Sequence, residues 1–481
     1  MNNKIIIKNY LLNLLTQLLN ILIPMITTPY LARTIGADGI GRYSFTQSIV
    51  TLFLSFGVMG TSSFFSREIA YRISSKIECS KIFWEAIILK TITLFSSLLL
   101  YGIVLINQSY MYQVLLLAQI IDFFSELIDI SWFFIAREMF HRIFLSNLIV
   151  KVTSVVLLFS YVKSIDDLVL YVLIISGCNM IGKILLWIGI HEYLEKINFK
   201  DLRPLRYFKG VFIVFLPQIA TLIYTILDKI MLGIICNSDL ENGYYAQSQN
   251  IIKMLLTVVT SLSIVLMPRI AQLFSKQNTE QITFYLLKAL KFVWLFATPM
   301  MTGVILLSQT FTIWFLGNEF EKVSLLLCIT SPLIVIIGLS SVINTAYLFP
   351  QNKQKLITCI LFLGSGTNFI LNLLLMPKFK SIGATVATVC SELLITLIML
   401  IYAFRKIEKR KLLVLPLKYI FASLIMYIVL IFTSKLNIYT FSNIVLIIFK
   451  GAILYFVILL CLKEENILLF ILIIKEKIKQ K

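Results

Sequence analysis

Apolar runs of about twenty residues recur along almost the whole chain, parted by short segments rich in Lys, Asn and Ser. They fall at 9–32, 43–66, 82–106, 111–136, 143–162, 167–190, 210–235, 244–267, 284–308, 322–349, 356–376, 382–404, 415–434 and 440–462. A helix rises about 1.5 Å per residue, so each run can cross a hydrocarbon layer about 30 Å thick. The pattern predicts an all-α polytopic membrane protein with about 14 transmembrane helices. Lys4 and Lys8 ahead of the first run imitate a signal peptide. Asn13, Gln17, Asn20 and Pro24 interrupt that run and no small-residue cleavage site follows, which predicts a retained first helix.

Composition sharpens this picture. Of 481 residues, 59% are hydrophobic and 14% charged, more apolar surface than a soluble fold can hide. The net charge of +19 does not point to nucleic acid, because the cations lie in short clusters between apolar runs. Counted over alternate loops, Lys and Arg divide into about 27 on one side and about 7 on the other, which predicts an even number of crossings with both termini cytoplasmic. The densest clusters are Lys196–Lys209 and Arg405–Lys411. The seven cysteines are odd in number and lack the paired spacing of a metal or disulfide framework, so they read as packing residues, and neither metal nor cofactor is expected.

Two segments share a pattern. Gly41-Arg42-Tyr43-Ser44-Phe45-Thr46-Gln47 opens the second run, and Gly243-Tyr244-Tyr245-Ala246-Gln247-Ser248-Gln249 opens the eighth. At the same offset Arg67 falls opposite Arg269. This predicts a duplication of six-helix units in the same orientation, around a central cavity. The expected organisation is an N-terminal six-helix lobe (1–195), a cytoplasmic linker (196–209), a C-terminal six-helix lobe (210–404), two extra helices (405–462) and a basic tail (463–481). Those two extra helices dock a lipid tail or simply pack.

Pro29-Tyr30-Leu31-Ala32-Arg33-Thr34-Ile35-Gly36 with Gly39-Ile40-Gly41-Arg42-Tyr43, then Ser66-Arg67-Glu68-Ile69-Ala70, then Asn372-Leu373, Met376-Pro377, Ile382-Gly383-Ala384-Thr385-Val386-Ala387-Thr388 and Ser391-Glu392, resemble in order and spacing the polysaccharide-transport branch of the multidrug/oligosaccharidyl-lipid/polysaccharide exporters. That branch holds the O-antigen and capsule repeat-unit flippases. The resemblance implies a non-enzymatic flippase of the cytoplasmic (inner) membrane, moving undecaprenyl-diphosphate-linked oligosaccharide by alternating access through a cationic cavity, with a polysaccharide polymerase and glycosyltransferases as neighbours. A multidrug or organic-cation antiporter of the same superfamily would need a cavity of acids and aromatics. A membrane polymerase would need a long outward loop, and these outward loops are short.

A diphosphate-linked glycan needs cations, amides and hydroxyls shielded from lipid, and charge inside a membrane is costly enough to demand a reason. Lys90, Lys151, Lys183, Lys229, Lys253, Lys288, Lys291, Lys418 and Lys450 fall within the runs. Lys253 leads, since Asn250, Thr257 and Thr260 share its helical face; Lys151, Lys90 and Lys183 follow. Asn13, Gln17 and Asn20 lie on one face of the first helix, lining substrate or gluing helices. Asp122, Glu126 and Asp129, spaced 4 and 3 apart, either couple transport to protons or pair with Lys90 or Lys151; Asp228 is a further proton candidate. Gly177–Lys183 spells most of a phosphate-binding loop, but Ile184 stands where Mg²⁺ would need Ser or Thr, which argues against nucleotide binding.

Overall fold

A computed structural model describes residues 3–404, 416–434, 436 and 438–464, and every regular element among them is helical. The Arg405–Lys411 cluster and residues 465–481 of the basic tail lie outside the described residues, as do the side chains of Asn13 and Gln17. The chain divides into two compact units, 1–243 and 244–481.

In the first unit α1 (Asn3–Thr34) runs unbroken through Pro24 and Pro29. Gly36 at φ +72 turns the chain into α2 (Gly36–Val58), and Met59 and Gly60, both left-handed, separate α2 from α3 (Thr61–Tyr71). Ser75 accepts from the Glu78 N–H and so starts α4 (Lys76–Ile106), satisfying one orphan donor of the first turn. The fourth run is broken into α5 (Tyr110–Ala118), α6 (Ile120–Leu127) and α7 (Ser131–Ala136). Then follow α8 (Phe140–Tyr161), α9 (Leu168–Trp187) and α10 (Phe208–Cys236).

Apolar side chains gain little by leaving lipid for one another, so close approach and hydrogen bonds hold these helices together. A Cβ on Gly57 would stand 2.6 Å from Leu94, and one on Gly182 would stand 2.3 Å from Val150. Thr93 Oγ1 donates to the Gly57 carbonyl at 2.6 Å, Ser146 Oγ to that of Gly182 at 2.6 Å, and Tyr101 OH to that of Leu116 at 2.8 Å. Phe65, Phe83, Trp132, Phe133 and Phe134 form an aromatic core beneath α3, α4 and α7. The connector 188–207 is pinned to this end by Glu85, which is buried and accepts from Arg203 N–H and Arg206 Nη2, each at 2.7 Å. Burial works to lower the Arg206 pKa, but the hydrogen bond to Glu85 and neighbouring anionic groups outweigh it and the net direction is upward.

The second unit holds most of α11 (Asp239–Ser275), then α12 (Thr279–Phe315), α13 (Glu321–Thr330) and α14 (Leu333–Ser341), the last continuing into a π-helical turn at Val342–Leu348. The segment α15 (Gln354–Phe404) is 51 residues long, more than twice what one crossing needs. Lys380, at φ 50 and ψ −126, folds it into two limbs that pack back on each other: a Cβ on Gly364 would meet Ile395 at 2.3 Å and one on Gly383 would meet the Leu375 backbone at 2.7 Å. Those limbs match the runs at 356–376 and 382–404. The remaining helices, α16 (Leu417–Thr433) and α17 (Phe441–Cys461), pack against α12 through Tyr419, Met426, Leu430, Ile447, Tyr455 and Leu459. Thr298 and Tyr455 hydroxyls are 3.2 Å apart within that seam. Eight described segments, or nine with one bent pair, are long and apolar enough by length and composition to cross a membrane, and α15 holds two such lengths. The chain is an all-α, multi-pass membrane protein.

Candidate functional site

Irregular backbone at membrane depth must find hydrogen-bond partners inside the protein. The break between α6 and α7 shows how this chain supplies them. The Asp129 carbonyl accepts from Lys90 Nζ at 3.2 Å and from Trp132 Nε1 at 3.1 Å, and the Ile128 carbonyl accepts from Trp187 Nε1 at 2.7 Å. The Asp129 carboxylate receives the Ser131 N–H and hydroxyl, each at 3.0 Å, and faces Lys183 Nζ at 3.0 Å. Glu126 lies 3.8 Å from Lys90. Lys90 is 1% exposed and Asp129 6%. Charges shut away to this degree persist only when paired, and here two lysines face two carboxylates.

The three acids therefore do not form one continuous stripe. Asp122 and Glu126 belong to α6, while Asp129 falls in the break, where its carboxylate starts α7. Asp122 meets Ser176 and Gln47 and no lysine among the described residues, and Gln47 in turn accepts from Gln119 at 2.9 Å. Asp228 on α10 is buried and has a partner of its own. The phosphate-loop spelling at Gly177–Lys183 lies wholly inside α9, with its lysine spent on Asp129.

Lys151 stands differently. It occupies the middle of α8, half-buried, and its ammonium meets no carboxylate among the described residues. Tyr30 OH donates to the Val162 carbonyl at 2.6 Å, which sets the register of α1 against α8. Counting back about ten residues along both helices puts Asn20 at the level of Lys151, since both rise at the same rate. Asn20 is exposed. In the second unit Lys253 and Asn250 are exposed on α11, Lys253 with a partner and its carbonyl accepting from Thr257 at 3.0 Å. Nearby, Tyr245, Gln247, Ser248 and Gln249 are buried, and the Tyr245 and Thr388 hydroxyls lie 3.0 Å apart.

A second cluster in the first unit was not foreseen. Asp239 accepts from Arg42 Nε at 3.2 Å and from Tyr112 OH at 2.7 Å, and Arg42 also pairs with Asp38. Beside it, a Cβ on Gly41 would stand 1.8 Å from the Asp239 carbonyl oxygen, and one on Gly243 would stand 2.1 Å from the Ala37 oxygen. The contact is reciprocal at the repeat offset: Gly41 answers Gly243 as Ala37 answers Asp239. The shared Gly-x-Tyr spelling was the one available signal. Its meaning is close backbone approach, which only glycine permits at both positions.

An all-helical membrane body with duplicated openings, buried ion pairs and polar mid-span faces defines a transporter-like class. Within that class, residues 6–274 match the polysaccharide biosynthesis protein family, and the chain belongs to it. It is 25% identical to a putative O-antigen transporter of Escherichia coli (strain K12) over 389 residues, covering 80% of this chain and 93% of that protein. It is also 25% identical to a putative O-antigen transporter of Shigella dysenteriae over 401 residues, covering 82% and 98%. The fold is similar to that of the lipid II flippase MurJ in an inward closed conformation, with a TM-score of 0.75 at 15% identity, covering 94% of this chain and 98% of that one. An inward-facing multidrug resistance MATE family transporter follows, with a TM-score of 0.60 at 14% identity, covering 81% and 94%.

Proposed function

We propose that this chain is a flippase that carries undecaprenyl-diphosphate-linked oligosaccharide repeat units across the cytoplasmic membrane for capsule or O-antigen synthesis, by alternating access. What carries the reading is the family membership of a chain whose relatives are named O-antigen transporters. It is a transporter and not an enzyme. The proposed topology has both termini in the cytoplasm and lobes at 1–195 and 210–404, with a polymerase and glycosyltransferases acting on either side of the same substrate.

Among the candidate cations, the reading gives Lys151 the substrate diphosphate. Lys90 and Lys183 are held by Glu126 and Asp129, whereas Lys151 faces no carboxylate among the described residues, with Asn20 at its depth. Lys253 and Asn250 serve the second unit, with Asn13 and Gln17 completing the amide face of α1. Proton coupling is assigned to Asp122 ahead of Glu126, Asp129 and Asp228, because it meets Ser176 and Gln47 and no lysine among the described residues. Neutralising Lys151 and Lys253 together should abolish surface polysaccharide while the protein remains inserted at its normal level. Normal polymer from that double variant would sink the assignment.

A further inference from the structure

Lys450 sits in the middle of α17, the most apolar of the candidate spans. One face of α17 is occupied: Ile447, Gly451 and Tyr455 are buried, and Gly451 packs against Leu430 and Met426 of α16. Lys450 lies on the other face. Leu446, Ile453 and Val457, at helical spacings from it, are 48%, 50% and 48% exposed, and Phe449 beside it is 66% exposed. Lys450 is itself exposed, and its ammonium makes no ion pair or hydrogen bond with another described residue. The nearer end of the helix is about 14 Å away and the farther about 17 Å. A four-carbon stem covers less than half of either distance, so snorkelling does not bring the charge to water.

We infer that the outer face of α17 is a docking surface for another membrane protein, and that the partner is a transmembrane helix carrying a carboxylate at mid-bilayer depth. Charge complementarity selects that occupant: an isolated cation in hydrocarbon is costly, and an acid at the same depth relieves it. The chain's own copy does not fit. Two copies in one membrane share an orientation, so a two-fold α17–α17 contact sets Lys450 against Lys450. Exposed Phe449, Leu446 and Ile453 give the surrounding van der Waals surface. The inference is independent of which substrate the protein carries.

The test uses the purified full-length chain in phosphatidylcholine vesicles, with a dye on one introduced cysteine. The probes are two synthetic Leu/Ala transmembrane peptides, identical except for one central Glu or Gln, and association is read by energy transfer at about pH 8, where the acid is ionised when paired. The Glu peptide should associate about tenfold more tightly than the Gln peptide. Lys450→Met should erase that preference, and Lys450→Arg should keep it. Equal association of the two peptides, as expected if Lys450 meets only lipid phosphate, overturns the inference. So does a preference that survives in Lys450→Met, or self-association of the chain that Lys450→Met weakens.

Discussion

Removing the charge of Asp129 should destabilise the first unit more than any other single change in its polar cluster. Asp129→Asn keeps the shape of the side chain and an oxygen for the Ser131 N–H. It removes the charge that faces Lys183 at 3.0 Å and leaves Lys90 with the Asp129 carbonyl at 3.2 Å and the Glu126 carboxylate at 3.8 Å. Breaking a fully buried pair by deleting one partner costs about 3–5 kcal/mol, because the survivor is left uncompensated. The Lys183 side chain keeps 28% of its surface exposed and can partly resolvate, which brings the expected loss down to about 2–3 kcal/mol. Lys183→Met alone should also destabilise, but the double variant should lose less than the sum, with a coupling of about 1–2 kcal/mol, since neither orphan remains. Equilibrium unfolding of the purified chain and its three variants in bicelles measures the cycle. Strict additivity, or an Asp129→Asn chain within about 0.5 kcal/mol of the parent, would refute the claim that this pair compensates the broken helix.

The reciprocal glycines should tolerate nothing larger: Gly41→Leu or Gly243→Leu forces backbone apart by more than an ångström and should cost at least about 3 kcal/mol, read as lost yield and a lowered Tm, whereas Gly177→Ala, which faces open space, should be near neutral. Glu85→Gln should loosen the connector 188–207, since Arg203 and Arg206 both depend on that carboxylate. Limited proteolysis should then cut the connector about tenfold faster, and an unchanged rate would mean that Ser80 and the Trp84–Phe199 contact hold it unaided.

The crossings were legible because lipid offers the backbone no hydrogen-bond partner. Each crossing must satisfy its own amides as a helix, and that demand writes itself into the chain as about twenty apolar residues at a time. Even the fold-back at Lys380 was legible, as a gap between the runs 356–376 and 382–404. Pairing of side chains was not. The 4-3 spacing of Asp122, Glu126 and Asp129 assumes one unbroken helix, yet the breaks at Gln119 and at Ile128–Ile130 send Asp129 to Lys183 and Asp122 to Ser176. Arg42 and Asp239 stand 197 residues apart, and no local period links them. No local pattern marks Glu85, near the start of the run 82–106; the return of the connector to α4 makes it the anchor of two arginine residues. By itself the sequence determined what each segment is, because solvent acts on a segment alone. The tertiary structure decided which lysines meet a carboxylate among the described residues and which, like Lys151 and Lys450, do not, because a charge is answered by whichever helix is brought within about 4 Å of it.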